Sequence, residues 1–325
     1  MDSVIKVANV KLESSYASKL KSVVKQIIGT CQCLGVKIEG KIIHFLVACA
    51  ATATLLVTLS IVWNLAQQSI GFFSEVSIVE FFSSTRWSPI LLPREYGIAP
   101  LVGGTFLVMI ISSFVAVPIG LAVAIYLAEY APDKIRRILR PILEVLAGIP
   151  TVVYGYFALT FVTPLLKLVF DDMIVFNALS AGLVMGVMII PFVSSLTEDA
   201  LVSVPNSLRQ ASYALGATRF ETSIKVVVPA ALSGIIAAFI LGLSRAIGET
   251  MLVTIAAGAT PRLTFNPIES IQTMTAFIVQ LALGEAAHGS VEYQSIYAVG
   301  ILLFIITFAM NTMGHWIVRR WRNVY

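Results

Sequence analysis

One long apolar run in this chain carries two opposite charges: residues 226–257 read VVVPAALSGIIAAFILGLSRAIGETMLVTIAA. Arg245 and Glu249 lie inside it, four residues apart. An arginine near the middle of a membrane costs roughly 2.5–3.5 kcal/mol on insertion scales, so it must face protein, water or a ligand. If the run is one helix, both side chains lie on the same helical face. We therefore expect a functional site on that face.

The composition around this run is that of an integral membrane protein. Of 325 residues, 58% are hydrophobic and 12% are charged, whereas a typical soluble domain has about 25% charged residues. Crossing a hydrocarbon core takes about 20 helical residues. Six stretches meet that length and predict an all-α, polytopic fold: 42–63, 99–128, 141–165, 177–197, 226–257 and 294–317.

The predicted organisation follows from these spans. We expect a basic N-terminal segment, a first transmembrane helix, an outside loop, a core of five more transmembrane helices and a short tail: 1–41, 42–64, 65–98, 99–319 and 320–325. Pro118, Pro150, Pro191 and Gly103-Gly104 interrupt the apolar runs, which indicates helices packed around a cavity. In the second outside segment, 258–293, residues 268–283 have a helical pattern.

Orientation follows from the basic residues. With both termini in the cytoplasm, the inside segments hold 17 of the 22 lysines and arginines, as the positive-inside rule requires. Seven of these are lysines before residue 42, where apolar residues recur at helical spacing: Leu20, Val23, Val24, Ile27 and Ile28. That segment is either a basic helix on the inner membrane face, in contact with lipid, or a partly disordered tail.

The polar loop of the core, 198–229, has strong helix signals. Pro205 suits the start of a helix, and the helical pattern after it stops at Gly216, a residue suited to a left-handed C-terminal position. Thr218 and Glu221 then fit a capping box, which predicts a second short helix. Pro229 opens the fifth span. The alternative is an ordinary connecting loop.

This loop resembles that of permease subunits of ABC importers. Their motif is E-A-A, three residues, Gly, nine residues and I-x-L-P; here it reads Gln210-Ala211-Ser212, Gly216 and Val226-Val227-Val228-Pro229, with matching spacing. Gln210 replaces the glutamate, which removes one polar contact. The resemblance implies a type I importer permease fold whose loop docks on a separate ATPase. The residues it assigns to coupling are Gln210, Ala211, Ser212, Gly216, Thr218, Glu221 and Pro229.

The segment Leu243-Ser-Arg-Ala-Ile-Gly-Glu-Thr-Met251 is similar to the R-A-x-G-E-T stretch of phosphate-specific importer permeases, and to their C-type subunit in its Thr-Met ending. The resemblance covers roughly 98–320. It implies a bacterial inner-membrane location, a second related permease, a homodimeric ATP-binding subunit, a periplasmic phosphate-binding protein and inorganic phosphate as substrate. Sulfate or molybdate is the alternative substrate.

The charged pair is interpreted as the substrate pathway. Arginine presents a planar fork of donors that matches a tetrahedral oxyanion. We expect Arg245 to contact the anion, Glu249 to be its counter-ion when the path is empty, and Ser244 and Thr250 to add hydroxyl donors. The alternative is a structural salt bridge that fixes the packing of span five. Glu144 is expected to pair with Arg140, one turn back.

Other function classes lack their signals. A membrane enzyme is disfavoured, because the sequence has no H-E-x-x-H motif and no cluster of His and Asp. The sequence also has no phosphate-binding loop of the form G-x-x-x-x-G-K-[ST]. We therefore expect no catalytic residues, metal or cofactor in this chain, with ATP bound by the partner, and no nucleic-acid partner. A secondary transporter or channel remains an alternative, since either also tolerates a buried pair.

Overall fold

The structure, a computed structural model, describes residues 40–90, 92–284, 287 and 289–321. The predicted N-terminal segment 1–41 lies outside this range except for residues 40 and 41, and so does most of the tail 320–325. The interpretation of the N-terminal segment therefore stays a prediction.

The described residues form helices and one antiparallel hairpin. The helices before residue 170 are α1 Gly40–Glu75, α2 Ile78–Ser83, α3 Ala99–Ile125, α4 Asp133–Gly148, α5 Thr151–Phe157 and α6 Thr163–Lys167. Those after it are α7 Ala178–Val202, α8 Asn206–Ala214, α9 Arg219–Thr222, α10 Val228–Ala230, α11 Leu232–Ile247, α12 Met251–Ala256, α13 Met274–Ala282 and α14 Val291–Trp321. Single π-helical turns extend α3, join α5 to α6 and follow α9: Tyr126–Tyr130, Ala158–Val162 and Ser223–Val227. The hairpin pairs β1 Trp87–Ser88 with β2 Glu95–Tyr96.

Four of these helices are long and apolar enough to cross a membrane, among the residues described: Val47–Glu75, Ala99–Tyr130, Ala178–Val202 and Val291–Val318. Two further spans exist if each bent pair of helices counts as one. The pairs are Asp133–Gly148 with Thr151–Lys167, bent by 86°, and Arg219–Ala230 with Leu232–Ile247, bent by 70°. The third span is therefore bent, as the predicted interruption at Pro150 implies, and the fifth span is bent as well.

The bend in the third span has a local cause at Pro150. A residue before proline avoids the helical region, and Ile149 is extended, with a ψ of 129°. Pro150 then precedes the first turn of α5. Pro118 and Pro191, in contrast, lie inside continuous helices. The prediction of a break at each of these two prolines is wrong.

α3 and α7 pack closely, and this contact forms the centre of the core. Gly182 and Gly186 lie one turn apart on α7; a Cβ added to them would come within 2.6 Å of Ile111 Cγ2 and 2.9 Å of the Ser112 carbonyl oxygen. Small residues at this spacing let membrane helices approach. The buried side chains around this contact include Val108, Ala116, Met185, Met188, Ile189, Val193 and Leu252.

The predicted first span ends too early, since α1 continues to Glu75. Its part before Gln68 exposes apolar side chains, as a lipid-facing helix does: Leu55, Leu56, Val57, Leu59, Ile61 and Trp63. Within residues 68–325, the predicted loop 65–98 is mostly structured. An aromatic cluster buries its inner side: Phe72, Phe81, Trp87, Tyr96 and Phe277.

The helix predicted at 268–283 is shorter than expected. α13 begins at Met274, and the Thr273 hydroxyl accepts a hydrogen bond from the Ala276 N–H at 3.2 Å. Phe277 on α13 packs edge-to-face on Trp87, with ring centroids 5.0 Å apart. This contact joins segment 258–293 to the hairpin of segment 65–98.

Candidate functional site

Arg245 lies in the last turn of α11, and the helix ends at Ile247. Gly248 follows as the cap residue, and the chain becomes helical again at Met251. Arg245 and Glu249 therefore do not share a helix, and the prediction that they lie on the same helical face is wrong. Glycine's low helix propensity is the physical reason for an end at this position.

Glu249 interacts with the next helix. Its carboxylate accepts a hydrogen bond from the Leu252 N–H, at 3.3 Å, which satisfies one of the unpaired donors of the first turn of α12. Its carbonyl oxygen accepts from the Thr275 hydroxyl at 2.7 Å. No ion pair joins Glu249 to Arg245 in the part of the chain that the structure describes. In this structure Glu249 fixes the start of α12 and is not the counter-ion of Arg245.

Arg245 instead faces a cavity of about 330 Å³ walled by α4, α7 and α11. Its guanidinium carbon lies 5.4 Å from the centre of the Phe192 ring, a cation–π distance. The side chain is exposed and has no ion-pair partner among the described residues. The cavity's other lining residues include Arg140, Glu144, Met188, Ser195, Glu198 and Asp199.

The two predicted hydroxyl donors lie elsewhere. The Ser244 hydroxyl is buried and has no hydrogen-bond partner within the described range. The Thr250 hydroxyl donates to the Gly248 carbonyl oxygen at 3.2 Å. Neither side chain lines the cavity beside Arg245. Their part in a substrate pathway stays a prediction.

Arg140 and Glu198 form an ion pair that the sequence did not indicate. Arg140 Nη2 lies 2.8 Å from Glu198 Oε1, and Nε donates to the same oxygen at 3.2 Å. Arg136 Nε approaches this carboxylate at 3.7 Å. The predicted Arg140–Glu144 pair is wrong, because Arg140 turns to Glu198 on α7. The two residues are 58 positions apart, so no local pattern relates them.

The loop helices fold as predicted. α8 ends in a Schellman motif: Gly216, with a φ of +84°, and Ala217 donate to the carbonyls of Tyr213 and Ser212. The capping box of α9 is present, with the Glu221 N–H donating to Thr218 Oγ1 at 3.2 Å and the Thr218 N–H to Glu221 Oε2 at 3.0 Å. The buried hydroxyls of Ser212 and Thr222 lie 2.9 Å apart and tie α8 to α9.

One arginine attaches this helix pair to the spans. Arg209 on α8 forms an ion pair with Glu129 at 2.7 Å. It also donates to the carbonyls of Leu201 at 2.9 Å and Val204 at 2.6 Å, at the end of α7. The side chains of Arg209 and Glu129 are 14% and 5% exposed. α8 is therefore held to the ends of two spans. Because Arg209 and Glu129 are 80 positions apart, no local sequence pattern predicts this pair.

The helix pair exposes apolar side chains. Leu215 and Phe220 are 89% and 65% exposed, and Gln210 and Ala211 are also exposed. Pro229 is exposed at the end of the loop. Exposed apolar patches of this kind mark interaction sites.

The fold and the loop define a membrane transport subunit, and sequence comparison agrees. A family model described as the inner membrane component of binding-protein-dependent transport systems matches residues 116–323. The chain therefore belongs to this family of ABC transporter permeases. A second model, the RNA-binding domain of ribosomal protein L11, matches residues 1–38, outside the described range.

Curated relatives are similar over most of their length. A probable ABC transporter permease protein, YqgH, from Bacillus subtilis is 39% identical, over 72% of this chain and 75% of its own. The phosphate transport system permease protein PstC from Xylella fastidiosa (strain 9a5c) is 33% identical, over 84% of this chain and 87% of its own. The phosphate transport system permease protein PstC from Mesorhizobium japonicum is 31% identical, over 74% of this chain and 78% of its own.

Solved structures share the fold at low sequence identity. A bacterial alginate ABC transporter matches with a TM-score of 0.62 and 15% identity, over 86% of this chain and 96% of that one. The inward-facing MetNI methionine ABC transporter matches with a TM-score of 0.54 and 23% identity, over 69% of this chain and 96% of that one. The chain thus has the type I importer permease fold.

Proposed function

We propose that this chain is the permease subunit of an ATP-driven importer of inorganic phosphate in the bacterial inner membrane. A second, related permease forms the rest of the path, a homodimeric subunit binds ATP, and a periplasmic binding protein delivers phosphate. Both termini face the cytoplasm. The observation that carries the proposal is the relation to phosphate transport permeases at 33% identity over 84% of this chain.

Arg245 contacts the transported anion. It is an exposed guanidinium at the end of an apolar helix, it lines a cavity, and no carboxylate within the described residues pairs with it. Arginine stays charged under physiological conditions and donates in a fork that fits a tetrahedral oxyanion. Ser244 and Thr250 are secondary donors, which come within reach if the Gly248 turn rearranges during transport.

Glu249 supports this site indirectly. Because its carboxylate accepts from the Leu252 N–H, it determines where α12 begins relative to the end of α11. A change at Glu249 therefore alters the Gly248 turn next to Arg245. This replaces the earlier interpretation of Glu249 as the resting counter-ion.

The helix pair α8–α9 couples this subunit to the ATPase. Leu215, Phe220, Gln210 and Ala211 form the docking face, while Ser212, Thr218 and Glu221 hold the two short helices in place. Gly216 permits the turn between them. Closure of the ATPase dimer on ATP then moves α8. The Arg209–Glu129 pair passes that movement to α3, and the Arg209 hydrogen bonds to the Leu201 and Val204 carbonyls pass it to the end of α7.

The binding protein docks on the opposite side, on segments 64–98 and 258–293. The hairpin and α13 form a joined surface around a cavity of about 590 Å³, and Arg94 pairs with Glu292 there. The aromatic cluster beneath gives the partner a firm surface.

Uptake by the reconstituted complex tests the substrate. The four components are placed in liposomes, and ATP-dependent uptake of phosphate, sulfate and molybdate is compared. We expect phosphate uptake that requires both ATP and the binding protein. Preferred uptake of sulfate or molybdate would assign another oxyanion, and uptake by this chain alone would indicate a secondary transporter or channel.

Co-purification tests the coupling face. Gly216→Val places a β-branched residue at a φ of +84°, which disrupts the turn between α8 and α9. We expect loss of the ATPase subunit from the purified complex. Gly289→Val is the matched control, because Gly289 also has a positive φ, 88°, and open space around its Cβ position, but lies outside the coupling loop, in segment 258–293. Retention of the ATPase by Gly216→Val contradicts the assignment.

A further inference from the structure

We propose that Arg140 is a second contact for the transported oxyanion, reached after Arg245, and that Glu198 is the carboxylate that displaces the anion from it. This inference rests on the proposed function, because it extends the path from Arg245 towards the coupling-loop end of the molecule. It gives Glu198 the role that the sequence suggested for Glu249.

The two arginines line the same cavity beside different turns of α7. Arg245 lies over Phe192, and Arg140 binds Glu198; both partners are on α7. Glu198 follows Phe192 by six positions on α7, a rise of about 9 Å. An anion that leaves Arg245 towards the coupling loop therefore next meets Arg140.

The geometry at Arg140 suits exchange of one oxyanion for another. Its Nε and Nη2 donate to the Glu198 carboxylate in the fork that also fits phosphate. The Arg140 side chain is 48% exposed, whereas that of Glu198 is 4% exposed. The arginine can thus turn to a ligand in the cavity while the carboxylate stays where it is.

Glu198 keeps a partner during the exchange. Arg136 Nε lies 3.7 Å from the same carboxylate oxygen. A buried carboxylate without any partner would be costly, so Arg136 allows Arg140 to leave. Arg136 is itself held by hydrogen bonds to the carbonyls of Leu127 and Ala128.

The remaining charges of the cavity keep the anion weakly bound. Glu144 and Asp199 also line it, so that three carboxylates face Arg140, Arg245 and the neighbouring Arg136. These carboxylates carry the same sign of charge as the anion and repel it throughout the cavity. Binding then occurs at Arg245, which has no carboxylate partner among the described residues, or at Arg140 once it has turned away from Glu198, and return of Arg140 to Glu198 expels the anion.

Equilibrium binding of radiolabelled inorganic phosphate to the complete complex tests this. The complex is held in nanodiscs without ATP and without the binding protein. We expect Arg140→Gln to raise the phosphate Kd about tenfold, the loss of one charge-assisted hydrogen-bonded contact. Glu198→Gln lowers the Kd, because Arg140 loses its competitor. The double variant Arg140→Gln/Arg245→Gln lacks both proposed contacts. The phosphate that still binds to it is the background from the ATPase subunits.

The opposite signs separate this proposal from a structural ion pair. A pair that only fixes packing is broken by either change, so both variants would then shift the Kd in the same direction or not at all, and either result overturns the proposal. Arg137→Gln is the matched control: Arg137 is exposed on α4 and does not line the cavity. ATP-dependent uptake by the wild-type complex is measured in parallel. Its absence would refute the proposed function, whereas uptake with unshifted Kd values refutes this inference alone.

Discussion

Arg209 and Arg245 belong to the same half of the molecule and have opposite surroundings. Every guanidinium nitrogen of Arg209 donates a hydrogen bond, to Glu129, Asn206 or the carbonyls at the end of α7. Arg245 has an aromatic ring beside it and no ion pair among the described residues. The first is 14% exposed and the second faces a cavity.

The difference separates two uses of arginine in a membrane protein. A guanidinium with all its donors occupied joins helices and has none left for a ligand. We propose that one with free donors beside a cavity binds an anion, because an unpaired charge inside a membrane is costly. The predictions below test that contrast.

The largest expected effect is on stability, at the Arg209 joint. Glu129→Gln leaves a buried guanidinium without its counter-charge, and we expect a loss of about 3 kcal/mol in the free energy of unfolding. Unfolding in mixed micelles measures it. Glu95→Gln is the control: it removes an exposed pair with Arg86 at 4.0 Å, whose expected cost is under about 1 kcal/mol. Equal losses in the two variants would contradict the contrast.

The next effect is on transport, at Arg245. Arg245→Gln should lower phosphate uptake about 10- to 100-fold, corresponding to the roughly 1.5–3 kcal/mol of a hydrogen bond to a charged group. The free energy of unfolding of this variant should stay near that of the wild type, since Arg245 forms no ion pair with any described residue. Unchanged uptake in an assembled complex would remove Arg245 from the pathway.

A smaller, local effect is expected at the capping box. Thr218→Ala removes the hydroxyl that accepts from the Glu221 N–H, at a cost of about 1 kcal/mol. Amide hydrogen exchange in Arg219–Thr222 should then rise roughly fivefold. Thr160→Ala, which removes an exposed hydroxyl bonded to the Tyr156 carbonyl, is the control and should leave this exchange unchanged. An equal response in both variants would refute a role for the cap.

The smallest effect concerns the coupling between Arg245 and Glu249. Because no ion pair joins Arg245 to Glu249, the stability changes of Arg245→Gln and Glu249→Gln should add to within about 0.5 kcal/mol. A double-mutant cycle of unfolding free energies measures the coupling. A coupling above about 1 kcal/mol would restore the salt bridge that the sequence suggested.

Local patterns predicted the loop well. Pro205, Gly216, Thr218 and Glu221 act within a few residues of themselves, and the observed helix ends follow from them. The positions of most spans were also predictable, since hydropathy depends on composition over about 20 residues. The family resemblance came from the same local motifs.

Contacts between distant segments could not be predicted in this way. The spacing of one helical turn predicts an ion pair between Arg140 and Glu144. Packing of α4 against α7 instead brings Glu198 to Arg140, and these two residues form the ion pair. Arg245 and Glu249 have helical spacing, but the helix ends between them. The predicted break is present at Pro150, where the span bends. It is absent at Pro118 and Pro191, because α3 and α7 continue through them.

The sequence by itself therefore determined the class of protein, the positions of most spans, the two capped helices of the loop and the presence of an arginine, Arg245, inside an apolar run. Each depends on residues close together in the chain, where hydrophobicity and backbone hydrogen bonding act. Only the tertiary structure decided the partners of the charges: Glu129 for Arg209, Glu198 for Arg140 and none of the described carboxylates for Arg245. A charge interacts with whatever lies near it in space, and packing of helices far apart in sequence decides what that is.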